Sequence, residues 1–195
     1  MNFFIFFSYN KKNFMKKIFF DTEFTGLYKD SQLISIGLIS EDGDTFYAEL
    51  TDYDKNKVSN WIYNNVILNL KFQNLTEKNL LINKSKKNYE ILCDKKTLKE
   101  HLTMWLQSFG EELEIWSDCL AYDWVLFCDI YEEAFKIPKC VYYIPFDICT
   151  LFKVKNIDPD ISREEFAEIQ SDSKKHNSLF DAISIKKCYE KLSSL

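Results

Sequence analysis

Two acidic residues, Asp21 and Glu23, stand at the end of the apolar run Ile18-Phe19-Phe20. The run predicts a buried strand, and side chains two residues apart in a strand point to the same face of a sheet. Two buried carboxylates repel each other, and no Lys or Arg stands between residues 18 and 26 to pair with them. A divalent cation would neutralise both, because carboxylate oxygens are hard ligands. The alternative is a strand end with two solvated acids.

Two further polar motifs lie in the middle and near the end of the chain. In the segment 116–123 (Trp-Ser-Asp-Cys-Leu-Ala-Tyr-Asp), Asp123 follows an aromatic residue. At the start of the last predicted helix, His176 stands five residues before Asp181. Asp-x-Glu on a first strand, an Asp after an aromatic residue and His-x4-Asp, in this order, resemble the motifs of the DEDDh 3′-5′ exonuclease family.

A fourth segment, residues 61–66 (Trp-Ile-Tyr-Asn-Asn-Val), is similar to the Trp-x3-Asn-Val segment of the Rv2179c-like exoribonuclease branch of that family. The first motif of that branch, Asp-Thr-Glu-Phe, is also found here, at residues 21–24. The resemblance spans residues 16 to 192. It implies a metal-dependent 3′-5′ exoribonuclease that hydrolyses single-stranded RNA.

The resemblance also implies the roles of the site residues. Two divalent ions about 4 Å apart stabilise charge on the attacking and leaving oxygens of a phosphodiester. The four predicted ligands of two Mg²⁺ or Mn²⁺ ions are Asp21, Glu23, Asp123 and Asp181. His176 is the predicted general base, since a neutral imidazole accepts a proton near pH 7. Asn177 stands where a rival branch has Tyr, which favours the His form.

Substrate contacts are expected on both sides of these residues. By resemblance, Phe24 and Thr25 contact the terminal nucleotide, Phe24 through its aromatic face; core packing is the alternative for Phe24. Lys174 and Lys175, beside His176, are placed to hold phosphates.

Two more acids could belong to the site. Asp118 stands where the commoner family form has Asn; we expect it to cap the helix predicted from Leu120 to Phe135, the alternative being a further charge in the site. Asp147 ends a predicted strand and could also face the site.

The predicted fold class is α/β, a ribonuclease H-like five-stranded mixed sheet flanked by helices. The predicted strands are residues 16–23, 32–40, 45–50, 113–117 and 141–147. Residues 15–195 form the predicted exonuclease domain, with an Asn- and Lys-rich insertion at about 53–95. Residues 1–14 are expected to be a peripheral extension before Met15.

Composition narrows the function classes. A net charge of −5 argues against a basic nucleic-acid-binding face, but bound metals reverse the local field of an acidic site.

Six cysteines without a C-x-x-C pair predict free, buried thiols and a cytoplasmic protein. No apolar stretch approaches the ~20 residues of a membrane span. A proofreading-type DNA exonuclease and an inactive nucleic-acid-binding module remain as alternative functions, and the sequence does not predict an oligomeric state.

Overall fold

The computed structural model describes residues 15–75, 80–85, 87–169 and 175–195. The predicted extension 1–14 and Lys174 lie outside these ranges. The strands are β1 (Lys16–Phe24), β2 (Leu33–Ser40), β3 (Thr45–Leu50), β4 (Leu80–Ser85), β5 (Asn88–Cys93), β6 (Leu113–Ser117) and β7 (Phe146–Asp147). The α-helices are α1 (Asn60–Asn65), α2 (Lys95–Gln107), α3 (Ala121–Ile130), α4 (Ile148–Val154), α5 (Arg163–Phe166) and α6 (Ser178–Ser194). Of these helices, none is long and apolar enough to cross a membrane.

The sheet is mixed, and its strands lie in the order β4-β5-β3-β2-β1-β6-β7. The first three strands form the predicted antiparallel meander, in which Asp21 pairs with Gly37 and Glu23 with Ser35. On the other side of β1, β6 pairs in parallel. The α/β fold class is therefore confirmed, and β1 lies inside the sheet, where both of its faces are covered.

Within the described residues the sheet has seven strands rather than the predicted five. The additional strands, β4 and β5, form an antiparallel hairpin within the predicted insertion, and β5 pairs in parallel with β3. Tyr89, Ile91 and Cys93 alternate along β5 and join the buried core. The sequence did not predict this strand because Asn and Lys residues surround the alternation and weaken it.

Two predicted elements are shorter than expected. The strand predicted at 141–147 is reduced to β7 and one isolated bridge between Leu113 and Val141. The helix predicted from Leu120 to Phe135 ends at Ile130, where Tyr131 caps it. Neither change moves β6 or α3 away from the acidic end of β1.

The two faces of β1 bury different residues, and this decides where the acids point. Ile18 and Phe20 lie in the core that contains α2 and α3, whereas Phe19 lies in the core that contains α4 and α6. Because side chains alternate along a strand, Asp21 and Glu23 share the α6 face with Phe19. Thr22 points to the α3 face.

Candidate active site

The first turn of α6 lies against the middle of the meander. Gly37 permits this approach, because a Cβ atom at this position would stand 2.3 Å from the backbone nitrogen of Leu179. Ser35 and Ser178 also meet there through their hydroxyl oxygens, 3.0 Å apart. The contact places Asp181, in the first turn of α6, beside the two acids of β1.

Carboxylate oxygens of Asp21, Glu23 and Asp181 lie within 4.8 Å of one another. Within the described ranges, none of the three forms an ion pair with Lys or Arg. Burial, followed by repulsion from the neighbouring acids, raises the pKa of Asp21 well above its ordinary value and that of Glu23 to about 8. Burial also raises the pKa of Asp181 to about 7. A buried all-oxygen donor set that lacks a cationic side chain fits a hard divalent cation such as Mg²⁺ or Mn²⁺.

Asp123 reaches the same region from α3. Its Oδ1 accepts hydrogen bonds from the backbone nitrogen of Thr22 at 3.0 Å and from the Thr22 hydroxyl at 2.5 Å. Burial raises the pKa of Asp123 to about 6, and the two bonds from Thr22 act against this rise. Asp123 therefore lines the same cavity as the three clustered acids but stands at its α3 side.

His176 is oriented by its backbone. Its φ is 62°, in the left-handed region, and its backbone nitrogen donates to Oδ2 of Asp181 at 3.0 Å. The imidazole meets the ring of Trp61 edge-on, with 5.1 Å between the ring centroids. Burial and the nearby charge of Lys175 lower the pKa of His176 below its ordinary value. The lowered pKa favours the neutral form of the imidazole.

A cavity of about 490 Å³ opens beside these residues, and the predicted site residues Asp21, Glu23, Asp123, His176 and Asp181 all line it. Phe24 also lines it, and stacks on Tyr122 with 5.6 Å between centroids while packing against the core. Leu27 and Trp61 add apolar surface that is 75% and 58% exposed.

Thr25 is placed differently from Phe24. Its side chain is buried, and its hydroxyl oxygen accepts hydrogen bonds from the Tyr28 hydroxyl at 2.9 Å and the Gln32 backbone nitrogen at 3.0 Å. Thr25 thus fixes the loop that brings Leu27 to the cavity wall.

A second cavity, of about 390 Å³, lies on the other side of the clustered acids and shares Asp21, His176 and Asp181 with the first. Lys175 lines it and pairs with Oε1 of Glu164 at 3.1 Å.

The remaining two acids have structural partners. The predicted capping role of Asp118 is wrong: α3 has no side-chain cap, and Asp118 pairs instead with Arg163, whose Nε lies 2.7 Å from Oδ2. Asp147 caps α4 by accepting from the Cys149 backbone nitrogen at 2.7 Å. It also accepts from the Leu120 backbone nitrogen at 3.3 Å and lines neither cavity of the site.

Sequence reasoning did not assign Trp61 or Arg163 to the site. A signal existed for each residue. Trp61 is an aromatic residue among the polar residues 59–60 and 64–65, and Arg163 is the single arginine of the sequence.

The chain is similar in sequence to known 3′-5′ exoribonucleases. The family model for the 3′-5′ exoribonuclease Rv2179c-like domain matches residues 16–193. The 3′-5′ exoribonucleases Rv2179c and MT2234.1, from two strains of Mycobacterium tuberculosis, are each 25% identical over 126 residues, which is 64% of this chain and 67% of theirs.

A solved structure also has a similar fold. The Pan2 catalytic unit of Neurospora crassa, with protease and nuclease domains, aligns with a TM-score of 0.53 and 15% identity over 92% of this chain. This chain spans 27% of the Pan2 chain, and the likeness supports the ribonuclease H-like fold. The family match runs from the first residue of β1 into the last turn of α6 and includes every acid of the site. The chain therefore belongs to the Rv2179c-like 3′-5′ exoribonuclease domain family, whose members are nucleases of the DEDD type.

Proposed function

We propose that this protein is a metal-dependent 3′-5′ exoribonuclease that shortens single-stranded RNA by hydrolysing its terminal phosphodiester bond. The observation that carries the proposal is the convergence of Asp21, Glu23 and Asp181 within 4.8 Å, next to His176, in an open cavity. Two Mg²⁺ or Mn²⁺ ions, when bound, would stabilise charge on the attacking and leaving oxygens.

The four acids have separate tasks in this proposal. Asp21, Glu23 and Asp181 form the central set of ligands, because their oxygens already face one another. Asp123 is the fourth ligand, at the α3 side of the cavity. Its two hydrogen bonds from Thr22 leave the second carboxylate oxygen, Oδ2, available for a cation.

His176 is the proposed general base. A ring nitrogen takes the proton of the attacking water, and the lowered pKa keeps the imidazole ready to accept it near pH 7. The backbone bond to Asp181 fixes the histidine next to the acids, and the edge of Trp61 restricts the ring. The base is therefore positioned before substrate arrives.

The 490 Å³ cavity is the proposed site of the 3′-terminal nucleoside. Phe24, Leu27 and Trp61 offer it apolar surfaces, and every base has a face that can stack on such surfaces. Thr25 contributes by holding this loop. Lys175, together with Lys174, would bind phosphates as point charges, so the sequence preference should be weak. The preference for RNA over DNA rests on the family.

We place the protein in the cytoplasm. The support is the set of six free cysteines, which suits a reducing compartment. Three of them are buried as predicted, whereas Cys140 and Cys149 are only partly buried and Cys119 is exposed.

The test compares 3′-labelled single-stranded RNA and DNA of the same sequence. With Mg²⁺ or Mn²⁺, the protein should release labelled mononucleotide from RNA faster than from DNA, and EDTA should stop both reactions. Asp21→Asn should be inactive, whereas Glu190→Gln, on the outer surface of α6, should match the wild type. A faster reaction on DNA would favour the proofreading-type alternative, and binding without cleavage would favour the inactive module.

A further inference from the structure

Arg163, at the start of α5, is held by more contacts than a surface ion pair requires. It makes a bidentate pair with Asp118, Nε to Oδ2 at 2.7 Å and Nη2 to Oδ1 at 2.8 Å. It also donates to the carbonyl oxygens of Pro159 and Ile161 at 2.7 and 2.6 Å. Its guanidinium carbon lies 4.7 Å from the centroid of the Phe152 ring. The side chain therefore has one orientation, fixed on Asp118.

The sequence uses arginine at this one position among its 25 basic residues. Lysine occupies all the other basic positions of the sequence. A lysine ammonium is a point charge, whereas the planar guanidinium can bind both oxygens of a carboxylate in parallel. The choice of arginine at position 163 therefore indicates a requirement for fixed geometry as well as for charge.

The surroundings of Asp118 resemble a second metal site, but Arg163 supplies the cation. Ligand atoms of Asp118, Cys119 and Cys149 lie within 4.8 Å of one another. Nη2 of Arg163 is 3.2 Å from the sulfur of Cys149, and the Cys149 thiol donates to Asp118 Oδ1 at 3.0 Å. A metal would have to displace the guanidinium, so a side chain rather than an ion neutralises this acid.

Asp118 stands beside the catalytic acids Asp21 and Asp181 at the wall of the site. It lines both cavities of the site, and Arg163 lines the 390 Å³ cavity with Asp21 and His176. Without a partner, Asp118 would repel the phosphates of a strand bound at this wall.

We propose that Arg163 is a positioning residue that neutralises and immobilises Asp118, so that an anionic RNA strand can lie across the 390 Å³ cavity. This inference rests on the proposed function, since it assigns this cavity to the phosphate backbone next to the cut bond. It also explains how this chain carries Asp where the commoner family form has Asn.

The test is a rescue experiment with the full chain and a single-stranded RNA that has a free 3′ hydroxyl. Arg163→Gln leaves Asp118 unpaired and should raise KM for RNA roughly tenfold, with a smaller change in kcat, and the effect should shrink in high salt. The double variant Asp118→Asn with Arg163→Gln should return KM to near the wild-type value. Lys191→Gln is the matched control: this ammonium also pairs with an acid, Glu168, and lies over an aromatic ring. It should leave KM unchanged.

A second measurement, Mn²⁺ binding by calorimetry, does not depend on turnover. The uncompensated carboxylate of Arg163→Gln should tighten Mn²⁺ binding severalfold, and the double variant should bind like the wild type. If the double variant is as impaired in KM as Arg163→Gln and binds Mn²⁺ no differently, the pair serves folding alone and the inference is overturned. If the wild type fails to shorten RNA, the proposed function fails, and the Mn²⁺ comparison still decides whether Arg163 compensates Asp118.

Discussion

His176 differs from the other histidine of the chain in what surrounds it. It lies in the catalytic cavity, next to Asp181. His101 lies on the opposite side of the sheet, where its Nδ1 and the Tyr89 hydroxyl form a hydrogen bond. We predict that His176→Ala lowers kcat by roughly 10²–10⁴-fold, the usual contribution of a positioned base. The wild-type rate should fall as the pH drops below the lowered pKa of His176, because the protonated ring cannot accept a proton.

The matched control for this prediction is His101→Ala, which should keep the wild-type kcat and pH profile. Mn²⁺ binding, followed by calorimetry, should be the same in both variants. Loss of Mn²⁺ binding in His176→Ala with an unchanged pH profile would instead make His176 a metal ligand.

The raised pKa values of the acids predict an unusual dependence of stability on pH in the metal-free protein. Burial raises the pKa of Glu23 to about 8 and that of Asp181 to about 7. Between pH 5 and 8 the folded state then binds more protons than the unfolded chain. The stability that these bound protons provide is therefore fully present at low pH and is lost as the pH rises.

We predict that Glu23→Gln reduces the loss of stability with rising pH. The melting temperature, measured in EDTA from pH 5 to 8, should fall less with rising pH in Glu23→Gln than in the wild type or in the surface control Glu190→Gln. Mg²⁺ should restore wild-type stability at pH 8, since the cation takes the place of the protons. An identical pH slope in Glu23→Gln and wild type would contradict the account of the buried acids.

The sequence predicted five site residues, and the structure brings them into one cavity: Asp21, Glu23, Asp123, His176 and Asp181. Strand periodicity was sufficient for Asp21 and Glu23. Asp123, His176 and Asp181 were predicted from the resemblance to the DEDDh family. The partner of Asp118 could not be predicted in this way. Its ion pair with Arg163 joins residues 45 positions apart, through a loop whose path no local pattern specifies.

Among the elements, the contact between β2 and α6 controls the site. A Cβ atom at Gly37 would meet the α6 backbone at 2.3 Å, at the turn that carries Asp181. We predict that Gly37→Ala pushes this turn outward, destabilises the protein by about 1–3 kcal/mol and lowers kcat strongly. Urea unfolding and steady-state kinetics on RNA measure the two effects.

Gly43→Ala is the control for Gly37→Ala. Gly43 lies in the turn between β2 and β3, far along the sheet from the acids, and has a positive φ of 92°. No atom of the described residues would lie within 4 Å of a Cβ added there. Its substitution should reduce stability through backbone strain and leave kcat unchanged. A Gly37→Ala protein with wild-type kcat would show that the close approach does not position Asp181.

The elements also show where sequence patterns fail. The meander β1–β3 and the helix α6 were predicted because their apolar residues recur at clear strand or helix spacing. The hairpin β4–β5 was not, because β4 is an edge strand that leaves even Leu81 and Ile82 exposed, and only its Leu80 packs against a buried cluster. Glu90 of β5 is buried and pairs with Lys71. Because an acidic residue usually indicates an exposed position, the sequence pattern does not show that β5 is buried here.

For the whole molecule, a net charge of −5 does not exclude RNA as the substrate. The acids of the catalytic cavity account for part of that charge, and bound cations would reverse its sign where the phosphates lie. At the edge of the second cavity, Arg163 forms an ion pair with Asp118, and Lys175 forms one with Glu164. The local field, rather than the total charge, determines whether an RNA end can enter.

The direction of cleavage tests the central claim most directly. A 5′-labelled single-stranded RNA with a free 3′ hydroxyl is incubated with the protein and Mg²⁺, next to a circular RNA of the same sequence. We predict a ladder of labelled products that shorten one nucleotide at a time from the 3′ end, an intact circle, and no reaction in EDTA. Release of a labelled 5′ mononucleotide as the first product, or cutting of the circle, would contradict the assignment of this cavity to an RNA 3′ end.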